Sequence, residues 1–135
     1  MDLRWNTKLT HLECWVNQIK TLDISNNLAL EYLDCDHNNI TKLVVENHIL
    51  LKNLYCNMNQ LEILDVSKNI ALLQLQCRAN NLTDIDLSQN INLTHIQCND
   101  NKLTSLDLSH SNSLEYLSYY GNQLTCIKVN VSQKN

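Results

Sequence analysis

The stretch LKNLYCNMNQLEILDVSKNIA, residues 51–71, decides the fold, because it recurs along the whole chain with a period of 21 residues. Cys56 is one of five cysteines in phase, with Cys14, Cys35, Cys77 and Cys98, and Tyr119 takes the sixth slot. Asn59 belongs to the row Asn17, Asn38, Asn59, Asn80, Asn101 and Asn122, and Leu51 to the row Leu9, Leu30, Leu51, Leu72, Leu93 and Leu114. A fixed period of this length marks a stack of supersecondary units, none of which encloses a core alone. The units run 9–29, 30–50, 51–71, 72–92, 93–113 and 114–134, after a partial unit at 1–8. No composition break divides residues 1–135, which read as one domain.

Each unit opens with alternating apolar and polar residues, as in Leu33-Asp34-Cys35-Asp36. Period-two alternation is a strand with one buried face, and stacking sets such strands in a parallel ladder at about 4.8 Å spacing. The returning half carries apolar residues at the eleventh, fourteenth, sixteenth and twentieth positions, all expected to point inward. The return segment, such as Leu64-Asp65-Val66-Ser67, is short and β-like, and it leaves too few residues for a capped helix. The expected class is therefore mainly β, with little or no helix. The composition is 44% hydrophobic with no Phe, no Pro and a single Gly, Gly121, so Asn is expected to turn the chain.

The pattern L-x-x-L-x-C-x-x-N-x-L, present in phase from about Leu9 to Val131, resembles the leucine-rich repeat. The short unit, with Cys in the strand and L-D-[VIL]-S-x-N after it, is similar to bacterial surface repeat proteins, including a cysteine-ladder branch of the internalins. The resemblance implies a leucine-rich-repeat solenoid that binds proteins, and a secreted or cell-surface setting. Asn122-Gln-Leu-Thr-Cys-Ile-Lys-Val129 looks like the start of a C-terminal cap in such proteins. Cys126 would there pair with a cysteine downstream, so in this chain it is expected to be an exposed free thiol, open to linking two copies. The opening MDLRWNTK shows no signal peptide, so a cytoplasmic setting stays open, and no apolar run is long enough to span a bilayer. The net charge of −4 offers no basic face for nucleic acid.

The ladders read first as structure. The five in-phase cysteines replace an inward Leu and are expected to be buried, reduced thiols. Zinc sites pair cysteines a few residues apart, and here 20 residues intervene. The Asn row at the ninth position is expected to satisfy backbone groups where each strand ends. Asp65, Asp86 and Asp107 stack, with Asp23 a unit away across Val44. They are expected to accept hydrogen bonds from the turns holding Ser67, Ser88 and Ser109, a bound cation being the alternative. No cofactor is implied. Asn39-Ile-Thr41, Asn81-Leu-Thr83, Asn92-Leu-Thr94 and Asn130-Val-Ser132 fit the glycosylation pattern but mostly arise from the repeat itself.

Function is expected where the units differ, at the outward strand positions: the third, the fifth and the seventh, plus the eighth at the corner. Four of the five tyrosines (Tyr32, Tyr55, Tyr116 and Tyr120) and one of the two tryptophans, Trp15, fall there, and the return segments hold none. Aromatic rings with a polar tip anchor protein interfaces. The candidate binding residues are Trp15, Tyr32, Asp34, Asp36, Tyr55, Arg78, His95, Tyr116 and Tyr120. With five-residue strands the face would measure on the order of 500 Å², less than the ~800 Å² per partner of a standard interface. Tyr119 is expected to point inward, and Trp5 to lie over the first unit as a lid. Solenoid ends need covering, so the chain reads as part of a longer protein or as pairing end to end. A structural spacer and a standalone intracellular inhibitor or immunity-type protein are the alternative functions. His11, His37 and His95 have acidic neighbours but no nucleophile with an oxyanion donor beside them, which argues against an enzyme.

Overall fold

The computed structural model describes residues 2–130 and holds eight strands and no helix among them. The strands are β1 (His11–Glu13), β2 (Tyr32–Asp34), β3 (Asn53–Tyr55), β4 (Gln74–Gln76), β5 (His95–Gln97), β6 (Ser105–Leu108), β7 (Tyr116–Ser118) and β8 (Cys126–Val129). Six of them form one parallel sheet in the order β1-β2-β3-β4-β5-β7, each residue beside the one 21 positions on. On the opposite wall β6 and β8 pair in parallel, the only return segments regular enough to form strands among the described residues. Val131 and the tail to Asn135, including the end of the last glycosylation pattern, lie outside the described residues.

Three-residue strands are shorter than the five-residue ones expected, so the flat part of the sheet is only about 10 Å wide. Inter-unit bonding nevertheless continues past the strands. Cys14, Val16 and Asn17 donate their N–H groups to Asp34, Asp36 and His37 in the next unit, at 2.8, 2.9 and 3.2 Å. Beyond the corner Asn39, Gln60 and Asn81 donate back to Ile19, Ile40 and Leu61. The backbone thus keeps its partners around a bend.

The bend itself lies at the eighth residue, not at an Asn. Val16, His37, Met58, Ala79 and Asp100 have φ of 51 to 56°, and Gly121 has 67°. Only the glycine adopts that left-handed geometry without steric cost, and a β-branched Val16 is the least suited to it. At Gly121 an added Cβ would lie 2.4 Å from Asp100 Oδ1. The chain accepts strain at five corners because the ladders on either side hold the backbone there.

Asn works beside the turns through its side chain. From Asn38 onward each ninth-position Asn spans two units: Asn38 Oδ1 accepts from Ile19 N–H at 2.9 Å, and its Nδ2 donates to the carbonyls of Cys14 and Cys35 at 3.0 and 3.1 Å. A second Asn row, the Asn that ends L-D-[VIL]-S-x-N, runs along the opposite turn. Asn27 Nδ2 donates to Leu3 and Asn6 carbonyls, Asn69 to Val45 and His48, and Asn90 to Val66 and Asn69, all at 2.8–3.0 Å. His48 stands in this row and reaches Ile24 O through Nε2 at 3.1 Å.

The core is built from the first, fourth, sixth, eleventh, fourteenth and sixteenth positions, with Leu30, Leu33, Cys35, Leu51, Leu54, Cys56, Leu72, Leu75 and Cys77 wholly buried. The twentieth position does not join it, contrary to the expectation. Leu28, Ile49, Ile70 and Ile91 are 50–58% exposed. The first residue of the next unit donates to the nineteenth carbonyl, as Leu72 N–H does to Asn69 O at 3.0 Å, and that tight turn projects the two residues between them outward. Trp5 is no lid either. Its ring is 87% exposed in a turn, and Leu3 and Leu9 pack on the first unit instead. Tyr119 occupies the cysteine position but is 41% exposed, because no described unit stacks on the sixth.

Candidate protein-binding face

The third and fifth residues of each unit stand on the solvent face of the six-stranded sheet, flanking a fourth that is buried in β1 to β5 and partly buried, as Leu117, in β7. Parallel in-register pairing sets His11, Tyr32, Asn53, Gln74, His95 and Tyr116 in one row, and Glu13, Asp34, Tyr55, Gln76, Gln97 and Ser118 in another. The rings gather in two groups. At one end His11 and Tyr32 stack with centroids 4.0 Å apart, and Tyr32 meets Tyr55 edge-on at 5.4 Å. At the other, His95 and Tyr116 stack at 5.9 Å. Tyr55 and Tyr32 are half-buried by these neighbours, and the Tyr55 hydroxyl donates to Gln74 Oε1. Trp15, Tyr116 and Tyr120 keep 53, 47 and 64% of their surface exposed.

The seventh residue turns partly inward. Asn57 and Asn99 are buried, and the row bonds unit to unit. Asp36 accepts from the N–H and Nδ2 of Asn57 at 2.6 and 2.8 Å, and Asn57 Oδ1 accepts from Arg78 N–H at 2.8 Å. Both carboxylate oxygens of Asp36 are therefore engaged within the fold. The Arg78 guanidinium lies against the Met58 sulfur, 3.6 Å from Nη2, and its buried Nε has no partner. Asp34 is freer, since Oδ1 accepts only Asp36 N–H at 3.0 Å. Burial pushes its pKa up, and the nearby Asp36 and Glu13 charges add to this. Burial also pushes the Tyr32 phenol up to about 12, with Asp34 adding to it. His11 bonds Glu13 at 3.1 Å and draws that carboxyl below its usual range. His37 is exposed at its corner.

All six cysteines are free thiols, the five of the ladder buried and Cys126 exposed at the start of β8. Burial raises the ladder thiols, Cys14 and Cys98 to about 11 and Cys56 and Cys77 well above the ordinary value, so they stay protonated. Since the thiolate is the reactive form, a disulfide-exchange reagent at pH 8 is expected to label one thiol, Cys126, within minutes. The other five should react only on unfolding. Fast labelling of two or more in native protein, read by mass spectrometry, would contradict the buried ladder.

On the convex wall the Asp row makes the local bonds expected of it. Asp23, Asp65, Asp86 and Asp107 accept from Ser25, Ser67, Ser88 and Ser109 N–H at 2.9–3.0 Å; bonding to the serine hydroxyl first and the N–H second, in the reverse order at Asp86, draws each carboxyl below its usual range, and Lys128 bonds Asp107 at 3.1 Å. Among the described residues no three His, Cys, Asp or Glu side chains converge as a metal site would require.

The chain matches no family model and no curated protein. Among solved structures it resembles the functional domain of InlJ from Listeria monocytogenes, which includes a cysteine ladder, at 35% identity and a TM-score of 0.72 over 93% of this chain. Internalin C2 from the same organism matches at 25% identity and a TM-score of 0.84 over 91% of this chain. The leucine-rich-repeat protein LIC12759 of Leptospira interrogans matches in fold, at 24% identity and a TM-score of 0.84 over 88%. This chain spans 33% of the InlJ domain, 57% of internalin C2 and 33% of LIC12759. Period, buried cysteine row and these likenesses agree on the fold: the chain is a leucine-rich-repeat solenoid of 21-residue units with a cysteine ladder, similar to these bacterial proteins.

Proposed function

We propose that this solenoid is a protein-recognition module, neither an enzyme nor a spacer, and that it binds through the concave face bearing Trp15, Tyr32, Tyr55, Tyr116 and Tyr120. The observation that carries this reading is the clustering of rings on one wall, with Trp15, Tyr116 and Tyr120 about half exposed or more. Strand preference alone accounts for aromatics in a sheet. It does not account for exposed rings on a face that also carries Asp34, Arg78 and His95, the mixture of apolar surface and polar tips that interfaces use. Asp36 supports the strand ends and lends the face its charge. The bacterial likenesses favour a secreted or surface protein. Among the described residues no helix is long and apolar enough to cross a membrane. If two copies pair, β8 with its exposed Cys126 is where they would meet.

The flat sheet is narrower than an ordinary interface needs, so the corner residues Trp15 and Tyr120 must widen the contact. Replacing Tyr55 and Tyr116 together by Ala is expected to weaken capture of the partner by the full protein at least about 30-fold, as loss of two aromatic anchors does. The circular dichroism spectrum should stay unchanged. Unaltered capture by a folded variant would remove the function from this face.

A further inference from the structure

We infer that the first three units of the concave face hold a basic segment of the partner protein, one of whose arginine or lysine side chains sits against Asp34 beside the rings of Tyr32 and Tyr55. The inference rests on the proposed binding role of this face and adds the chemistry of what binds.

The face is electrically lopsided. On β1 to β3 and the corner residues after them, its outward positions carry Glu13, Asp34 and Asp36 and no lysine or arginine. The same positions on β4, β5 and β7 carry Arg78 and one carboxylate, Asp100, whose Oδ2 accepts from Asn99 Nδ2 at 2.8 Å. The neighbouring Lys52 is held by Glu31 at 2.7 Å, and Arg78 is turned to Met58, so neither neutralises the acidic half. His11 pairs with Glu13 and the corner His37 favours the Asp34 charge, and each of these rings is charged only when protonated.

An acidic patch on open surface would simply be hydrated. Here the charge stands among rings: Tyr32 is stacked on His11 and edge-on to Tyr55, and exposed Trp15 follows Glu13 at the corner. Asp34 is half-buried, and its one hydrogen bond in the fold comes from a neutral N–H. A partly desolvated carboxylate without a counter-ion is electrostatically unfinished. A guanidinium or ammonium placed over it gains the charge–charge contact and a ring face, while its alkyl stem covers aromatic surface. An acidic or purely apolar segment would cover the half-buried Asp34 carboxylate without supplying a counter-charge, which specific interfaces avoid.

The test uses the full chain, labelled with 15N, and a short alternating Arg-Gly peptide, with alternating Glu-Gly and Gln-Gly peptides beside it. The Arg-Gly peptide should shift amides in residues 11–15 and 32–36. Its affinity should fall about tenfold between roughly 50 and 500 mM salt, as screening shortens from over 10 Å to a few ångströms. Glu13→Gln with Asp34→Asn should also weaken it about tenfold. The Asn at 34 keeps an oxygen for Asp36 N–H, so the strand end survives. No shifts, shifts centred on the convex Asp65, Asp86 and Asp107, or equal binding by the variant would each overturn the inference. If the Gln-Gly or Glu-Gly peptide binds the same strands as tightly, the basic partner is wrong while the concave face stands. If the tyrosine pair also proves dispensable for partner capture, both fall.

Discussion

Asn59→Ala is expected to cost about 3 kcal/mol of stability, far more than a surface substitution. The Asn59 side chain is buried and joins two units. Its Oδ1 accepts from Ile40 N–H at 2.9 Å, and its Nδ2 donates to the carbonyls of Cys35, Asn57 and Cys56 at 3.0, 3.1 and 3.3 Å. Alanine leaves a buried N–H and a buried carbonyl without these partners, and each orphan costs about 1–3 kcal/mol. Neighbouring units hold each other up in a solenoid, so weakening one junction lowers the cooperativity of the whole stack. Asn17 is an internal control. It is exposed, bonds only Cys14 and Trp15 carbonyls of its own unit, and should cost under about 1 kcal/mol when replaced by Ala. Urea midpoints for the two variants would check the contrast, and equal losses would contradict the bridging role.

Leu54→Ala should cost still more, about 4 kcal/mol. Leu54 is completely buried and lies in register between Leu33 and Leu75, themselves buried and fixed by the ladder. A sheet held by hydrogen bonds on both sides cannot close over the missing methyl groups, so the cavity term stays near the upper part of the 2–5 kcal/mol range. Ile70→Ala deletes a comparable apolar side chain that is 58% exposed and should change the midpoint little, by about 0.5 kcal/mol or less. A large loss at Ile70 would restore the twentieth position to the core and contradict the turn geometry that projects it outward.

That pair of residues also shows how far the sequence could be read. Leu54 and Ile70 are equally apolar and equally periodic, and the period reveals that each recurs, not which way it points. Direction at Leu54 follows from strand alternation. At Ile70 it depends on a tight turn closed by the Asn69 carbonyl, a feature with no alternation to betray it. The left-handed corner shows the same limit. Gly121 is its one sequence signal, and Val16, His37, Met58, Ala79 and Asp100 adopt the conformation under tertiary constraint. The second Asn row stood in the repeat pattern, but its role needed the facing carbonyls to be seen. Trp5 looked like a lid because large apolar rings usually seek cover, yet its turn points it to solvent.

The candidate face was legible in part for the same reason. Alternation placed the third and fifth residues outward, and the stacking of His11 on Tyr32 follows from register alone. The seventh position was misjudged as fully outward. There the strand has ended and Asp36, Asn57 and Asn99 turn to bond neighbouring units, so Asp36 is as much a structural residue as a surface charge. Burial of Asp34 could not be read from sequence either, because it depends on the residues that register sets beside it, Glu13 and Tyr55.

Hydroxyl-radical footprinting of the full protein with and without its partner tests the central claim most directly. Trp15, Tyr32, Tyr55, Tyr116 and Tyr120 should lose reactivity in the complex, while Trp5, exposed on no part of this face, keeps its own. Protection of Trp5, Ile63 or the Ile49 and Ile70 edge, with the concave rings still reactive, would place the binding surface elsewhere.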